Sequence, residues 1–388
     1  MRTLSRQMPI VVVLAVVAGA AALAEEGVVS GYATGPDAGQ LGGYASHENH
    51  PIRSRGVTFE NGRCRTAFIT WVDVDPSHAP LVLPLEGMIG FPSPAGGNWY
   101  SNGFLDLFVG EQIVGTVEPK SVRVMETGKR GRARFVWERP EGTWSVIFVV
   151  LPGDEKVFCA ARFWPKDPAM PLSLRLTCYP GGQTHDGNRA VTTAEGTTDQ
   201  VETVEMEPAR CWWYALYDTV HDYGGGSDGG AAVLFDPDYL SKVGLVVESY
   251  PVMLRPMPAP GKCEVRMILW DNFFGKRNAE IVEYLKANAD ALLKELRSVS
   301  FDDPRALSGG EDQEAQQVEA LLAKMPNCTA ERQRATELAA TLTDLRGRLT
   351  RTPQGIPPDD EDGIAAALEA RRRLLWDLKW RELLEAPQ

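Results

Sequence analysis

The densest run of chemically able side chains lies between Cys211 and Gly230. Cys211-Trp212-Trp213-Tyr214-Ala215-Leu216-Tyr217-Asp218 reads as a strand loaded with aromatic rings. It leads into Thr219-Val220-His221-Asp222-Tyr223 and then a glycine-rich loop that carries Asp228. Aromatic faces stack on the apolar side of a sugar ring, and their polar tips bond hydroxyls. Loops held by a rigid sheet are where binding groups concentrate. The ligand-binding groups expected here are Trp213, Tyr217, His221, Asp222 and Tyr223. His221 has the chemistry of a general base near neutral pH, with Asp218 or Asp222 to orient it. The plainer explanation is that alternate aromatics pack a core, because a period of two buries half of such a strand.

A second loop, Gln183-Thr184-His185-Asp186-Gly187-Asn188-Arg189, adds His185 and Arg189 as binding groups. His185 joins His221 and Asp222 as a candidate for catalysis. Asp, Gly and Asn are also ordinary turn residues, which is the bland account of the same loop. His47 and His50 stand three apart but lack a third ligand at zinc spacing, so a solvated turn explains them better. The 218–230 loop does not match calcium-loop spacing. Neither a phosphate loop nor a His-Glu-x-x-His helix occurs. The sequence calls for no metal and no cofactor. Paired carboxylates for glycoside cleavage are defined by their separation in space, and with 52 acidic side chains the sequence cannot select two.

The elements that must position these groups are mostly strands. Residues 28–271 read as extended segments separated by turns. Asn61-Gly62 between Gly56–Glu60 and Arg63–Val72 predicts a hairpin. Gly131–Glu138, Thr143–Leu151, Glu155–Trp164 and Leu172–Tyr179, with turns between them, predict a four-strand antiparallel meander. Leu172, Leu174, Leu176 and Cys178 share one face and Ser173, Arg175, Thr177 and Tyr179 the other. Cys263, Val265, Met267 and Leu269 repeat the pattern opposite Glu264 and Arg266. Val146–Leu151 is continuously apolar, which predicts burial on both faces and hence a layered sandwich.

After Asp271 the period changes. Ile281, Leu285, Ala289, Leu292 and Leu296 mark an amphipathic helix over 278–297, with Asn278 as its expected N-cap. Three shorter stripes predict a C-terminal helical bundle. The run Asp359–Asp362 opens the last helix, where carboxylates favour the positive end of the helix dipole. Trp376 and Trp380 share a further face of that helix; such an apolar face is expected to pack against the β domain or the 278–297 helix, the alternative being that it binds a partner chain or a ligand.

The N-terminus has the order of a cleavable export signal. Arg2 and Arg6 precede the apolar run Pro9–Ala21, and Ala22-Leu23-Ala24 stands before Glu25-Glu26. The run is shorter than the ~20 residues of a membrane span. The expectation is a protein exported by the general secretory route to the periplasm or outside the cell. The organisation expected is a signal peptide (1–24), an antiparallel β-sandwich (25–275) and an amphipathic helix packing on it (276–298). A linker (299–308) and a C-terminal helical region (309–388) follow. With 40 basic and 52 acidic side chains, the precursor carries −12. Residues 1–24 hold two arginines and no acid, so the mature chain is 38 minus 52, or −14. That balance argues against nucleic acid as a partner. The six cysteines form no Cys-x-x-Cys pair and fit small buried thiols, with room for one unassigned bridge.

Trp144-Ser-Val-Ile-Phe-Val-Val-Leu-Pro-Gly-Asp154, then Val157–Trp164, then Pro171-Leu-Ser-Leu-Arg-Leu-Thr-Cys-Tyr-Pro-Gly181 resembles the central strands of galactose-mutarotase-like β-supersandwich domains. The resemblance is one of strand order and texture, and at fold level it covers residues 28–271. It implies large stacked antiparallel sheets and an expectation of carbohydrate. Mutarotases carry a histidine just before a proline-aromatic pair at the end of such a strand. Here that place reads Tyr179-Pro180-Gly181-Gly182, so no catalytic residue is carried over.

The sequence therefore predicts a mainly β chain, a supersandwich-like antiparallel β-sandwich with a C-terminal helical bundle. The function expected of it is non-catalytic recognition of a carbohydrate. The alternatives are a carbohydrate-active enzyme (lyase, hydrolase or epimerase) using loops 183–189 and 218–230, or an assembly component that docks a protein partner through its C-terminal helices.

Overall fold

The computed structural model describes residues 27–41, 50–73, 89–90, 105–180, 188–220, 222, 230–271, 276–303, 313–349 and 355–385. The chain divides into two compact units, Met1–Phe301 and Asp302–Gln388.

The first unit holds two antiparallel sheets, of ten and nine strands among the described residues. The ten-stranded sheet runs β1 (Ser30–Leu41), β2 (His50–Glu60), β3 (Arg65–Asp73), β4 (Ile89–Gly90), β5 (Leu105–Val109), β11 (Ser173–Cys178), β18 (Val252–Pro258), β17 (Leu240–Val247) and β14 (Glu202–Met206). Within it β6 (Gln112–Ile113) pairs with β5. The nine-stranded sheet runs β13 (Gly196–Thr198), β12 (Arg189–Thr193), β15 (Trp213–Asp218), β16 (Ala231–Phe235), β19 (Glu264–Trp270), β10 (Lys156–Pro165), β9 (Gly142–Val150), β8 (Gly131–Arg139) and β7 (Ser121–Glu126).

Period-two alternation places Phe59, Phe68, Leu107 and Leu176 of one sheet against Phe135, Phe148, Cys159 and Val265 of the other in one core. Phe68 and Phe148 stack across it with ring centres 3.7 Å apart. The other face of the second sheet is covered by α1 (Asn278–Ser298). Its Ile281, Leu285, Ala289, Leu292 and Leu296 stripe packs on Ile147, Val149, Phe158, Ala160 and Ile268. That explains the continuous apolar run in β9: alternate residues face the sheet partner on one side and the helix on the other.

Three sequence expectations are corrected. The fourth predicted strand does not join the meander: β11 leaves β10 and crosses to the other sheet between β5 and β18, and the consecutive strands that do pair are β7, β8, β9 and β10. The long Pro165–Leu172 connection permits that crossing, and β19 takes the vacated edge of β10. The Asn61-Gly62 hairpin closes with a four-residue loop, since β3 starts at Arg65. There Gly62 takes φ +83°, and Asn61 Oδ1 accepts from the backbone N–H groups of Arg63 and Cys64 at 3.0 and 2.7 Å. Asn278 is the first helical residue rather than the cap, and Arg277 precedes the helix.

All six cysteines are free and buried, so no bridge forms. Burial pushes the Cys64 thiol up to about 11, with Glu155 adding to the effect. No helix among the described residues is long and apolar enough to cross a membrane.

The second unit packs α2 (Gln313–Lys324), α3 (Thr329–Leu349) and α4 (Pro358–Glu385). Val318, Leu321 and Leu322 meet Leu374, Leu375 and Leu378, while Leu342 and Leu345 meet Ile364 and Leu368. At the start of α4, Glu361 is buried and accepts from the Asp303 N–H at 3.0 Å. The tryptophan face of α4 lies outside the three-helix core. Trp376 and Trp380 are 58% and 62% exposed, and Leu383 and Leu384 continue the stripe. The leucines on the opposite side of α4 already fill the three-helix core, so this face has no room in it.

Candidate functional site

The two loops singled out by their side chains leave the sheet side by side. Arg189 of β12 pairs with Asp218 of β15, and Thr219 donates its N–H to the Asn188 carbonyl at 2.7 Å. The bases of loops 183–189 and 218–230 are therefore neighbours. His185, His221 and Tyr223 lie outside the described residues, as does His47, and the side chain of His50 at the start of β2 lies outside them too.

The remaining expected site residues are engaged in the fold. Trp213 points to the helix side of its strand and is 3% exposed beneath α1, so its ring is core rather than a sugar platform. That corrects the expectation for Trp213, and its cause is the period of two in β15. Tyr217, on the same side, is half-buried, and its hydroxyl shares a hydrogen bond with Thr192 Oγ1 at 2.8 Å. Arg189 is buried, and its Nε donates to the Glu248 carbonyl. Asp218 Oδ1 accepts from the Val220 N–H at 2.8 Å, and its carbonyl accepts from Asn278 Nδ2 at 2.7 Å.

Asp222 accepts from the Asn278 N–H at 2.6 Å. The first N–H groups of a helix have no partner within it, and a carboxylate there also meets the positive end of the dipole. Glu280 Oε2 accepts from the Arg277 N–H at 2.8 Å and completes the arrangement. Asp222 thus seats α1 on the sheet. Asp222→Ala is expected to lower stability by about 1 kcal/mol, the usual worth of a helix cap. Thermal unfolding reads this directly, and an unchanged midpoint would count against the capping role.

Gly225-Gly226-Ser227-Asp228-Gly229 spells the Gly-x-Ser-x-Gly pattern of hydrolase nucleophiles and lies outside the described residues. That pattern needs a strand, a sharp turn and a helix. Here the next described element is the strand β16, so the context is missing. Among the described residues no three His, Cys, Asp or Glu side chains gather as a metal site.

A cleft that sequence reasoning missed lies at β5, β11, β17 and β18 of the ten-stranded sheet, with a volume of about 590 Å³. Phe108, Pro171, Met257 and Pro258 give it apolar walls. Ser173, Ser241 and Glu111 add polar groups, and Arg175 and Arg255 add two guanidiniums. Arg175 is fixed: its Nε and Nη2 donate to Asp106 Oδ2 at 3.0 and 2.5 Å, and its guanidinium lies over the Phe108 ring at 5.4 Å. Asp106 is buried beneath it, and burial raises its carboxyl above the ordinary value despite the pull of Arg175. Such a group withdraws stability as the pH climbs from its unfolded value, about 4, through its folded one. Phe108, Ser173, Arg175, Arg255 and Met257 follow outward parity on their strands, and that alternation was the sequence signal for them.

No family profile matches the chain, and no curated protein sequence does. Among solved structures it is similar to a candidate aldose 1-epimerase from Klebsiella pneumoniae, at 9% identity and a TM-score of 0.37, covering 64% of this chain and 85% of that one. It is similar also to the GH36 alpha-galactosidase AgaA of Geobacillus stearothermophilus, at 11% identity and a TM-score of 0.31, covering 56% of this chain and 41% of that one. The Slr1438 protein of Synechocystis is a further match, at 13% identity and a TM-score of 0.29, covering 53% of this chain and 90% of that one. The chain spans about two fifths of the galactosidase's length. These likenesses are loose and concern the fold alone, and no residue of the cleft or of the two loops is assigned through them.

Proposed function

We infer that the chain is an exported protein whose β-sandwich recognises a carbohydrate without transforming it. The cleft on the ten-stranded sheet carries this reading. It sets apolar walls at Phe108, Pro171 and Met257 against hydroxyl and guanidinium groups at Ser173, Ser241 and Arg255. A sugar ring has the matching character, with apolar C–H faces and a polar rim. Its volume falls in the range of small-molecule sites, roughly 300–1,000 Å³. The test is a glycan panel read by calorimetry, beside a Ser173→Trp variant that plugs the cleft from an exposed position. Binding to at least one glycan, lost in the plugged variant, is expected. Silence across a broad panel would sink the reading.

A second reading, a carbohydrate-active enzyme, is favoured by the hydrogen bond between Thr219 and Asn188, which joins the bases of the two loops whose sequences carry His185 and His221. Its test is turnover of oligosaccharides by the full chain and by His185→Ala and His221→Ala. Equal rates in all three would remove these histidines from any chemistry. The open Trp376–Leu384 stripe supports a protein-docking role for the helical unit. An unchanged set of partners after Trp380→Glu would argue against it.

A further inference from the structure

We propose that the cleft takes a saccharide bearing a carboxylate, a uronate, and that Arg255 binds its acid group. This rests on the saccharide reading above and adds the ligand's charge to it.

Arg175 and Arg255 stand on the adjacent strands β11 and β18. Leu176 lies opposite Leu254 in that pair, both facing the core. The next position on each strand, facing outward, is Arg175 and Arg255. Cations at facing positions of neighbouring strands repel one another. Arg175 has its charge met by Asp106. Arg255 is exposed, and no hydrogen bond or ion pair joins it to another described residue. The cleft therefore holds one more positive charge in this corner than the protein satisfies. Glu111, the carboxylate in the lining, sits on the β5–β6 turn. That is two strands from Arg255, roughly 10 Å at ordinary strand spacing.

The other neighbour of Arg255 is Gly244 on β17. Gly244 has no positive φ, and a Cβ there would meet the Arg255 Cβ at 3.5 Å, an ordinary contact. The backbone does not call for glycine, and glycine weakens a strand. It leaves bare sheet beside the guanidinium, the kind of opening that a close ligand uses. A guanidinium binds a carboxylate through two parallel N–H···O bonds. With the acid on Arg255, the sugar's hydroxyls come to Ser173 and Ser241 and its ring to the apolar wall. The chain as a whole is negative, −12. No global field draws an anion in, so selectivity has to come from this local pair.

The experiment compares galacturonate, galactose and sulfated galactose oligosaccharides of equal length on the full chain at low salt. Calorimetry gives the affinity and thermal unfolding checks each variant. Galacturonate is expected to bind tightest. Arg255→Ala is expected to weaken it by about tenfold to a hundredfold, the worth of a hydrogen bond to a charged group. Galactose, which has no acid group, is expected to lose clearly less than galacturonate, the unfolding midpoint stays unchanged, and Arg255→Lys keeps part of the affinity. Equal binding of galactose and galacturonate, or galacturonate binding indifferent to Arg255→Ala, overturns the inference and leaves the saccharide reading standing. Preference for the sulfated sugar overturns the carboxylate assignment. No binding of any of the three counts against both.

Discussion

Glu264→Ala is expected to destabilise the sandwich by about 3–5 kcal/mol, the cost of leaving a buried charge without its partner. Glu264 is 3% exposed and Arg162 1%. Glu264 Oε1 accepts from Arg162 Nε at 2.9 Å and from Arg266 Nε at 3.0 Å, and Oε2 accepts from Arg266 Nη2 at 3.2 Å. Arg266 also lies over the rings of Tyr239 and Phe301, so the carboxylate holds together β10, β19 and the segment after α1. Urea unfolding measures the loss. Glu264→Gln keeps an acceptor and is expected to lose less. A paired Arg162→Met, Glu264→Leu variant removes both charges and is expected to recover much of the stability, because well-packed apolar residues replace buried ion pairs at little cost. Equal loss in the single and paired variants would show that packing, not charge, sets the effect.

Asn61→Ala is expected to cost about 3–4 kcal/mol, at roughly 1 kcal/mol for each of four side-chain hydrogen bonds. The side chain is buried. Its Nδ2 donates to the carbonyls of Leu151 and Asp154 at 2.9 and 2.6 Å, while Oδ1 takes the N–H groups of Arg63 and Cys64. Gly153 donates to the Asn61 carbonyl at 2.7 Å. One asparagine thus ties the β2–β3 turn to the β9–β10 turn of the other sheet. Asn61→Asp is expected to do no better than alanine, since a carboxylate cannot donate to the two carbonyls. Gly62→Ala, which meets only the backbone demand of the turn, is expected to cost nearer 1 kcal/mol. If Asn61→Ala costs no more than Gly62→Ala, the tie between the turns is not what the asparagine is for.

That asparagine shows what a sequence reveals and what it hides. Asn-Gly is readable as a turn because its conformational reason is local. Its second task joins residues some ninety positions apart, and no local pattern records it. The strands were legible where one face was wet, as in Leu174, Leu176 and Cys178 against Ser173, Arg175 and Thr177. The α1 stripe and the stripes of the helical unit were legible for the same reason, a period that matches burial. The crossing of β11 into the other sheet was not, because alternation says which face is buried and not which strand lies alongside. Trp213 looked like a ligand platform because aromatic residues are equally apt for a core and for a sugar. Only the helix laid over it decides. The cleft was invisible for a different reason: residues 108, 173–175, 241 and 255–258 meet through the strand order β5-β11-β18-β17. Arg175 and Arg255 each read as an ordinary outward side chain until they are neighbours.

The placing of β18 and β19 bears on how the chain is made. These strands are consecutive, yet β18 enters one sheet between β11 and β17, and β19 enters the other between β16 and β10. The ten-stranded sheet lacks its link until residue 258 has been synthesised, and the nine-stranded sheet until residue 270. The β7–β10 ribbon and the ribbon of β13, β12, β15 and β16 have open edges on either side of the place that β19 fills. The long separation of the strands being joined means that loop entropy is spent before pairing repays it. Unpaired edges are also where growing chains associate wrongly. Both layers are therefore completed by consecutive strands far along the chain, and α1, the next element, packs over the nine-stranded sheet.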